Sequence, residues 1–282
     1  FSPELNIFPE IENLDNINIL ARKAMYFSYL GFHVGKWDAE KNEVITDPNS
    51  KMYDINLKRA MAYAIDNDSI AKQFYHGLAM RAPSPIAPIF TQLRNPDEAG
   101  YKDVDGDGIR EGKDGKPFKI NLAMMSGSEI QEPLSQYYIQ QWKSIGLNVE
   151  LVDGRLLDFN NFYDRLKADD PAIDCFFAAF GYGTDPQQMS LFGKNSQFNK
   201  SRYTSETFEK ALEAQISPEA LDEAKRIEIY HNYDKIFMEE LPVAPQLNKM
   251  EYIVVNKRVK EYDWKYDTDM KEFDWSKIEV TA

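Results

Sequence analysis

Apolar residues recur along this chain with two different periods, and the switches between them outline an α/β protein. The clearest unit lies near the middle. Ile120, Leu122 and Met124 alternate with Asn121 and Ala123, which predicts a strand with one buried face. Ile130, Leu134, Tyr138, Trp142 and Ile145 then follow at helical spacing, and Gly146 stands where a helix is usually closed. Leu147, Val149 and Leu151 return to alternation. Strand, helix and strand with short connections make a βαβ unit, expected to be parallel and right-handed.

The flanking segments extend the same pattern. Met25 to Val34 is aromatic-rich and reads as a strand. Leu57, Ala60, Met61 and Ala64 predict a helix with Asp54 as N-cap, and Asp66-Asn67-Asp68 starts a second short helix through Ile70 and Phe74. Pro83, Pro85 and Pro88 then force an extended segment. Asp174 to Phe180 is apolar almost throughout, as a central strand covered on both faces would be. Two helices come next. One runs from Ser205 to Gln215. The other takes Ser217 as N-cap and Pro218 as its first helical residue, carries Ile227, Tyr230, Tyr233, Phe237 and Leu241, and stops at Pro242. Tyr252 to Val255 reads as a last strand. The tail from Tyr262 to Ala282 is charged and aromatic without a period, and is expected to pack on something else. The chain has no internal repeat and no Gly/Ser linker.

Charge narrows the function. The 282 residues carry a net charge of −13, and an acidic surface repels phosphate backbones and anionic lipid head groups. Nucleic-acid and membrane-surface partners are therefore not expected. Cys175 is the only cysteine, so no intrachain disulfide forms. No stretch approaches the ~20 apolar residues of a membrane span. The chain begins at Phe1 without methionine, so an upstream segment is expected to have been removed, and the lack of a signal peptide says nothing.

Catalytic chemistry is hard to find. His33, His76 and His231 are scattered, with no ligand spacing among them. Cys175 sits in an apolar strand with no adjacent cation, which predicts an inert core thiol. Gly112-Lys113 imitates the end of a phosphate loop, but Asp107 replaces the first glycine and Asp114 follows the lysine. Two segments do suggest a ligand. Asp103, Asp105, Asp107, Glu111 and Asp114 stand at positions one, three, five, nine and twelve of a calcium-type loop, with Gly108 at six. Either a structural calcium or a metal-free Asx- and Gly-rich turn satisfies that pattern. Phe180 to Pro186 leaves the carboxyl end of the expected central strand, where open α/β sheets place their ligands. Its glycines would let a ligand backbone approach, its aromatics offer stacking faces, and Asp185 offers a carboxylate; an ordinary loop with a helix-capping Asp fits equally.

Four stretches, in this order, resemble the C-terminal half of the family 5 extracellular solute-binding proteins, the oligopeptide receptors of ABC importers. They are Leu57 to Ala79, with its Ala64-Ile65-Asp66 and Gly77-Leu78-Ala79; the aspartate–glycine loop from Tyr101 to Phe118; Gln136 to Val149, with Trp142 and Ile145-Gly146-Leu147; and Asp174 to Asp185, followed by Asn199 and Tyr203. The resemblance implies an α/β lobe of the type II periplasmic-binding-protein kind, with a mixed sheet, a βαβ unit and flanking helices. It implies residues 1–35 as an incoming segment and connecting strand, 36–250 as the C-terminal ligand-binding lobe, and 251–282 as a return strand and tail packing on an N-terminal lobe. Members are roughly twice this length, and the other half would hold that lobe and the anchor. A non-enzymatic, extracytoplasmic receptor follows, either a cell-surface lipoprotein or periplasmic, with peptide ligands, permease subunits as partners and no required cofactor. A same-family receptor for a non-peptide solute and an unrelated calcium-stabilised hydrolase domain are the alternatives. By the same resemblance Asp185 pairs with the peptide α-ammonium, while Phe180, Tyr182 and Gly183 face the ligand. Arg202 meets a ligand carboxylate or forms a structural ion pair.

Overall fold

The computed structural model describes residues 4–23, 26–82, 105–181, 187–260 and 278–281. The proline segment at 83, 85 and 88 and most of the tail after Tyr262 lie outside them. A short α1 (Phe8–Ile11) precedes β1 (Ile17–Lys23) and β2 (Tyr26–Phe32). A hairpin of β3 (Gly35–Asp38) and β4 (Glu43–Thr46) leads to α2 (Ile55–Ala64), α3 (Asn67–Tyr75) and β5 (Ala79–Arg81). The caps anticipated for the two helices form: Asp54 accepts from the Asn56 N–H and Asp66 from the Ser69 N–H. Next come β6 (Lys119–Ala123), α4 (Gln131–Ser144), β7 (Asn148–Leu151), α5 (Phe159–Lys167) and β8 (Cys175–Gly181). Then follow α6 (Met189–Phe192), α7 (Glu206–Gln215), α8 (Glu223–Glu240), β9 (Val243–Asn256) and a small ribbon, β10 (Val259–Lys260) with β11 (Glu279–Val280).

Seven of these strands form one mixed sheet in the order β1-β9-β2-β8-β6-β7, with β5 alongside β9. The βαβ unit is as anticipated. β6 and β7 run parallel, Ile120 opposite Val149 and Leu122 opposite Leu151, and α4 closes through Gly146 at φ +79°. Trp142, fully buried, donates its indole N–H to the Met61 carbonyl at 2.9 Å and so ties α4 to α2. β8 lies inside the sheet between β2 and β6, which explains its apolar run. Gly31 of β2 sits opposite Phe176 of β8, and a Cβ there would overlap the Phe176 ring. That strand position requires glycine.

Two segments differ from the sequence pattern. Pro218 opens a single 3₁₀ turn to Leu221; Asp222 then adopts an extended conformation and caps α8 by accepting from the Lys225 N–H. The helix therefore starts after Asp222 rather than Ser217, and Ile227 points outward, 51% exposed, while Tyr233 and Phe237 are buried. The last strand is fourteen residues long, not four, because Pro245 is tolerated at a bulge: Ser28 pairs with Leu247 and Tyr29 with Pro245, leaving Gln246 over. β9 continues across position 251 to pair with β1, Lys23 opposite Met250 through Ile17 opposite Asn256. β1, near the amino end, and the last long strand thus meet in one ribbon.

Candidate ligand-binding site

β8 pairs with β2 along its whole length, from Phe32 opposite Cys175 to Tyr26 opposite Gly181. On its other edge the ladder is two residues long, Leu122 with Cys175 and Ala123 with Phe176. There β6 ends and the chain turns away. Leu157 donates its N–H to the Met124 carbonyl at 2.9 Å and accepts from the Ser126 N–H at 2.7 Å. From Phe177 to Gly181, β8 therefore has no strand on that edge among the described residues. A free strand edge presents a row of backbone donors and acceptors, and this one lies at the carboxyl end of the parallel strands.

A cleft of about 90 Å³ opens beside the free edge, where β6 has stopped and the N-terminus of α4 and the end of α3 face β8. Met124, Tyr138 and Phe177 form its apolar walls, with Tyr138 stacked on Phe177 at 4.1 Å between ring centres. Tyr75, Gln131 and Lys249 give it polar character. Burial pushes the Tyr75 phenol up to about 12, so it stays a neutral donor, and the Lys249 ammonium lies 5.0 Å from the centre of its ring.

The opposite face of β8 is aromatic. Phe180 is half-buried and stacks on Tyr29 at 5.6 Å, with Phe192 at 6.3 Å and Phe198 at 6.5 Å. Phe198 is 61% exposed. Tyr182, Gly183 and Asp185 lie outside the described residues.

Arg202 forms the structural ion pair, one of the two roles expected for it. It is 1% exposed, bonds Asp169 at 2.6 Å and donates to the Asn199 carbonyl at 3.1 Å. Burial alone would raise the Asp169 carboxyl, but hydrogen bonds from His33, the Trp37 N–H and Arg202 outweigh it and hold it below its ordinary value. With its charge neutralised inside the lobe, Arg202 has none left for a ligand. His33 is likewise a satisfied buried residue, its other ring nitrogen 3.3 Å from the Ile173 carbonyl. Cys175 is buried, and its thiol is raised well above its ordinary value by burial and by Asp174.

In the aspartate loop, carboxylate oxygens of Asp105, Asp107 and Glu111 lie within 4.8 Å of one another. Asp103 falls outside the described residues. Asp114 does not join the group: it accepts from the Lys116 N–H and pairs with its ammonium at 3.2 Å, which holds its carboxyl below the ordinary range. The loop folds on its own Asx turns, the Asp107 N–H bonding Asp105 and the Ile109 N–H bonding Asp107. Arg110 anchors it to the end of α4 through the Gly146 and Ile145 carbonyls. It therefore sits at the amino ends of β6 and β7, far along the sheet from the free edge.

The profile of the bacterial extracellular solute-binding proteins, family 5 Middle, matches residues 2–200. The chain belongs to this family. Family 5 proteins are non-enzymatic extracytoplasmic receptors of ABC transport, in keeping with the lack of a catalytic constellation in the sequence. The chain is 28% identical to the oligopeptide-binding protein OppA of Lactococcus lactis subsp. cremoris over 297 residues, 98% of this chain and 48% of that protein. It thus spans about half the length of the curated relatives it matches. The structure of lactococcal OppA with an endogenous peptide, in the closed conformation, superimposes with a TM-score of 0.82 at 27% identity, covering 98% of this chain and 54% of that one. NikZ of Campylobacter jejuni, in complex with Ni(L-His), shares the fold with a TM-score of 0.67 at 20% identity, over 92% of this chain and 52% of its own.

The sequence pattern missed the free edge of β8. The free edge follows from unequal strand lengths: the seven-residue run of β8 outlasts β6, which breaks at Ser126-Gly127-Ser128.

Proposed function

We propose that this chain is one lobe of an extracytoplasmic oligopeptide-binding receptor, which captures peptides and delivers them to the permease subunits of an ABC importer. The observation that carries the reading is the free edge of β8, Phe177 to Gly181, at the carboxyl end of the parallel strands. Such an edge binds an extended peptide through its main chain, whatever the side chains. The likeness to lactococcal OppA supports the same ligand class. A second lobe, contributed by the other half of a receptor of family length, would close over the bound peptide. The proposal keeps Asp185 as the partner of the peptide α-ammonium and Tyr182 and Gly183 as its neighbours. In the aspartate loop, calcium would bind at Asp105, Asp107 and Glu111 and would be structural.

A metal–amino-acid chelate, the ligand of NikZ, is the second reading. It is less well supported, because among the described residues no histidine or carboxylate lines the cleft beside β8. Mass spectrometry of ligands released from the purified full-length protein separates the two. A family of peptides is the expected result, and a single non-peptide solute would refute the peptide reading.

A further inference from the structure

Two helices grip one residue just past the segment that carries Asp185. Residues 182–186 lie outside the described ones, but the chain on either side does not: Gly181 pairs with Tyr26 at the end of β8, and Gln188 opens α6. The Gln188 N–H donates to Oε1 of Gln215, the last residue of α7, at 2.9 Å. Its own Oε1 accepts from the hydroxyl of Tyr233 on α8 at 2.6 Å, and its carbonyl accepts from the Leu191 and Phe192 N–H groups, both at 3.0 Å. Gln215 is 3% exposed and Tyr233 2%. A buried glutamine is uncommon, and Nε2 of Gln215 has no hydrogen-bond partner among the described residues. This amide gives up its solvation for the bond to Gln188. Packing requires neither polar group. The Tyr233 ring sits against Phe208 and Phe237, with ring centres 5.9 and 5.7 Å away, and methionine and phenylalanine would fill the two positions as well.

We propose that Gln215 and Tyr233 are positioning residues for peptide binding: by fixing Gln188 they set where the Asp185 carboxylate, three residues upstream, meets the peptide α-ammonium. The inference rests on the receptor reading, and on Asp185 within it, and adds the two residues that make the pairing strong. Three residues of chain reach at most ~11 Å, so the position of Gln188 limits that of Asp185. A charge pair gains most when its protein partner is in place before the ligand arrives. A carboxylate that must be ordered at that moment gives part of the gain back. Neither Gln215 nor Tyr233 has to touch the peptide, and neither sets its side-chain preference.

The test is calorimetry on the full-length protein with the pentapeptide Ala-Leu-Ala-Leu-Ala and its N-acetylated form, which lacks the α-ammonium. Acetylation is expected to weaken binding to the wild type at least tenfold. In Tyr233→Phe, which keeps the ring, and in Gln215→Met, that penalty should shrink roughly threefold to tenfold, the effect of one hydrogen bond. Affinity for the acetylated peptide should stay at its wild-type value. A merely structural role would lower the melting temperature or weaken both peptides alike, and would leave their ratio unchanged. A ratio unchanged in either variant would overturn the positioning role and leave the receptor reading standing. If the wild type binds both peptides equally, Asp185 does not meet the ammonium, and the positioning role falls with that pairing. If neither peptide binds, the receptor reading falls and the positioning role with it.

Discussion

Lys58 makes a sharp test of how this lobe is held together. It lies on α2 and is 1% exposed. Its ammonium donates to the carbonyls of Glu240 at 3.1 Å and Leu241 at 3.0 Å, where α8 ends in a left-handed residue. The rings of Tyr203 and Phe32 lie 4.8 and 5.8 Å away. Burial pushes the amine down to about 7, with the Glu240 carboxylate opposing it. The unfolded chain holds this proton up to its ordinary value of 10.5. Between about 7 and 10.5 the unfolded state binds more protons, so stability rises with pH across that window. Below it both states are protonated and the cost of burying the charge is present in full; above it both are neutral. From pH 7 to pH 9 the gain is roughly 2 kcal/mol.

Lys58→Met keeps the length and removes the charge. It also strands two carbonyls, at about 1–3 kcal/mol each, whereas a neutral amine still has two N–H donors for them. Urea denaturation of both proteins at pH 7 and pH 9 isolates the effect, because other titrations, Lys200 among them, cancel in the difference. The advantage of the wild type over the variant should widen by roughly 2 kcal/mol at the higher pH. A difference that stays flat would refute the reasoning: the ring faces and carbonyls would then hold the proton against burial.

Other outcomes follow from the remaining sites. Asp185→Ala in the full-length receptor should weaken peptide binding by at least an order of magnitude, since losing one partner of a desolvated charge pair costs about 2–5 kcal/mol; wild-type affinity by calorimetry would remove Asp185 from the site. Chelation should lower the melting temperature if calcium holds the aspartate loop, and Asp105→Ala should abolish that response; identical curves with calcium and with chelator would leave only the turn. Gly31→Ala should destabilise the lobe by about 1–3 kcal/mol through overlap with Phe176, and an unchanged unfolding midpoint would show that β2 shifts freely. Residues 1–282 alone should fold yet bind peptide weakly, because half the contact surface meets nearly all of the ~4–15 kcal/mol cost of association; micromolar or tighter binding would mean that this lobe suffices.

The parts of the fold legible in sequence are those in which one local rule decides the outcome. Trp142, Ile145 and Gly146 set the face and the end of α4 by spacing alone, and Asp54 and Asp66 announce their helices because a cap needs only neighbouring N–H groups. Of β9 only Tyr252 to Val255 was legible, since Pro245 is an error in any strand except one bulged against a particular partner, here Tyr29. Asp222 displaced Ser217 as the start of α8 because two capping residues compete there. Of the site, Phe180 was visible in the strand that carries it. Arg202 was ambiguous for a physical reason: its partner Asp169 is 33 positions away in sequence, and no local pattern separates an internal carboxylate from a ligand's.

The edge of β8 that is unpaired among the described residues also bears on how such a lobe avoids unwanted pairing. A free strand edge that carries Phe177 and Phe180 is a template for pairing with any extended chain, and proteins normally blunt it with charge, proline or a covering element. Here neither neighbour does so: β6 veers off toward Leu157, and the residues along the edge, Phe177-Ala178-Ala179-Phe180-Gly181, include no charge and no proline. The feature is tolerable only if something else covers the edge during the life of the protein. A peptide ligand does that in the receptor reading, and it uses the same main-chain bonds that would otherwise promote aggregation. Backbone pairing at the edge then supplies affinity without regard to sequence, which leaves selectivity to side chains that reach past it.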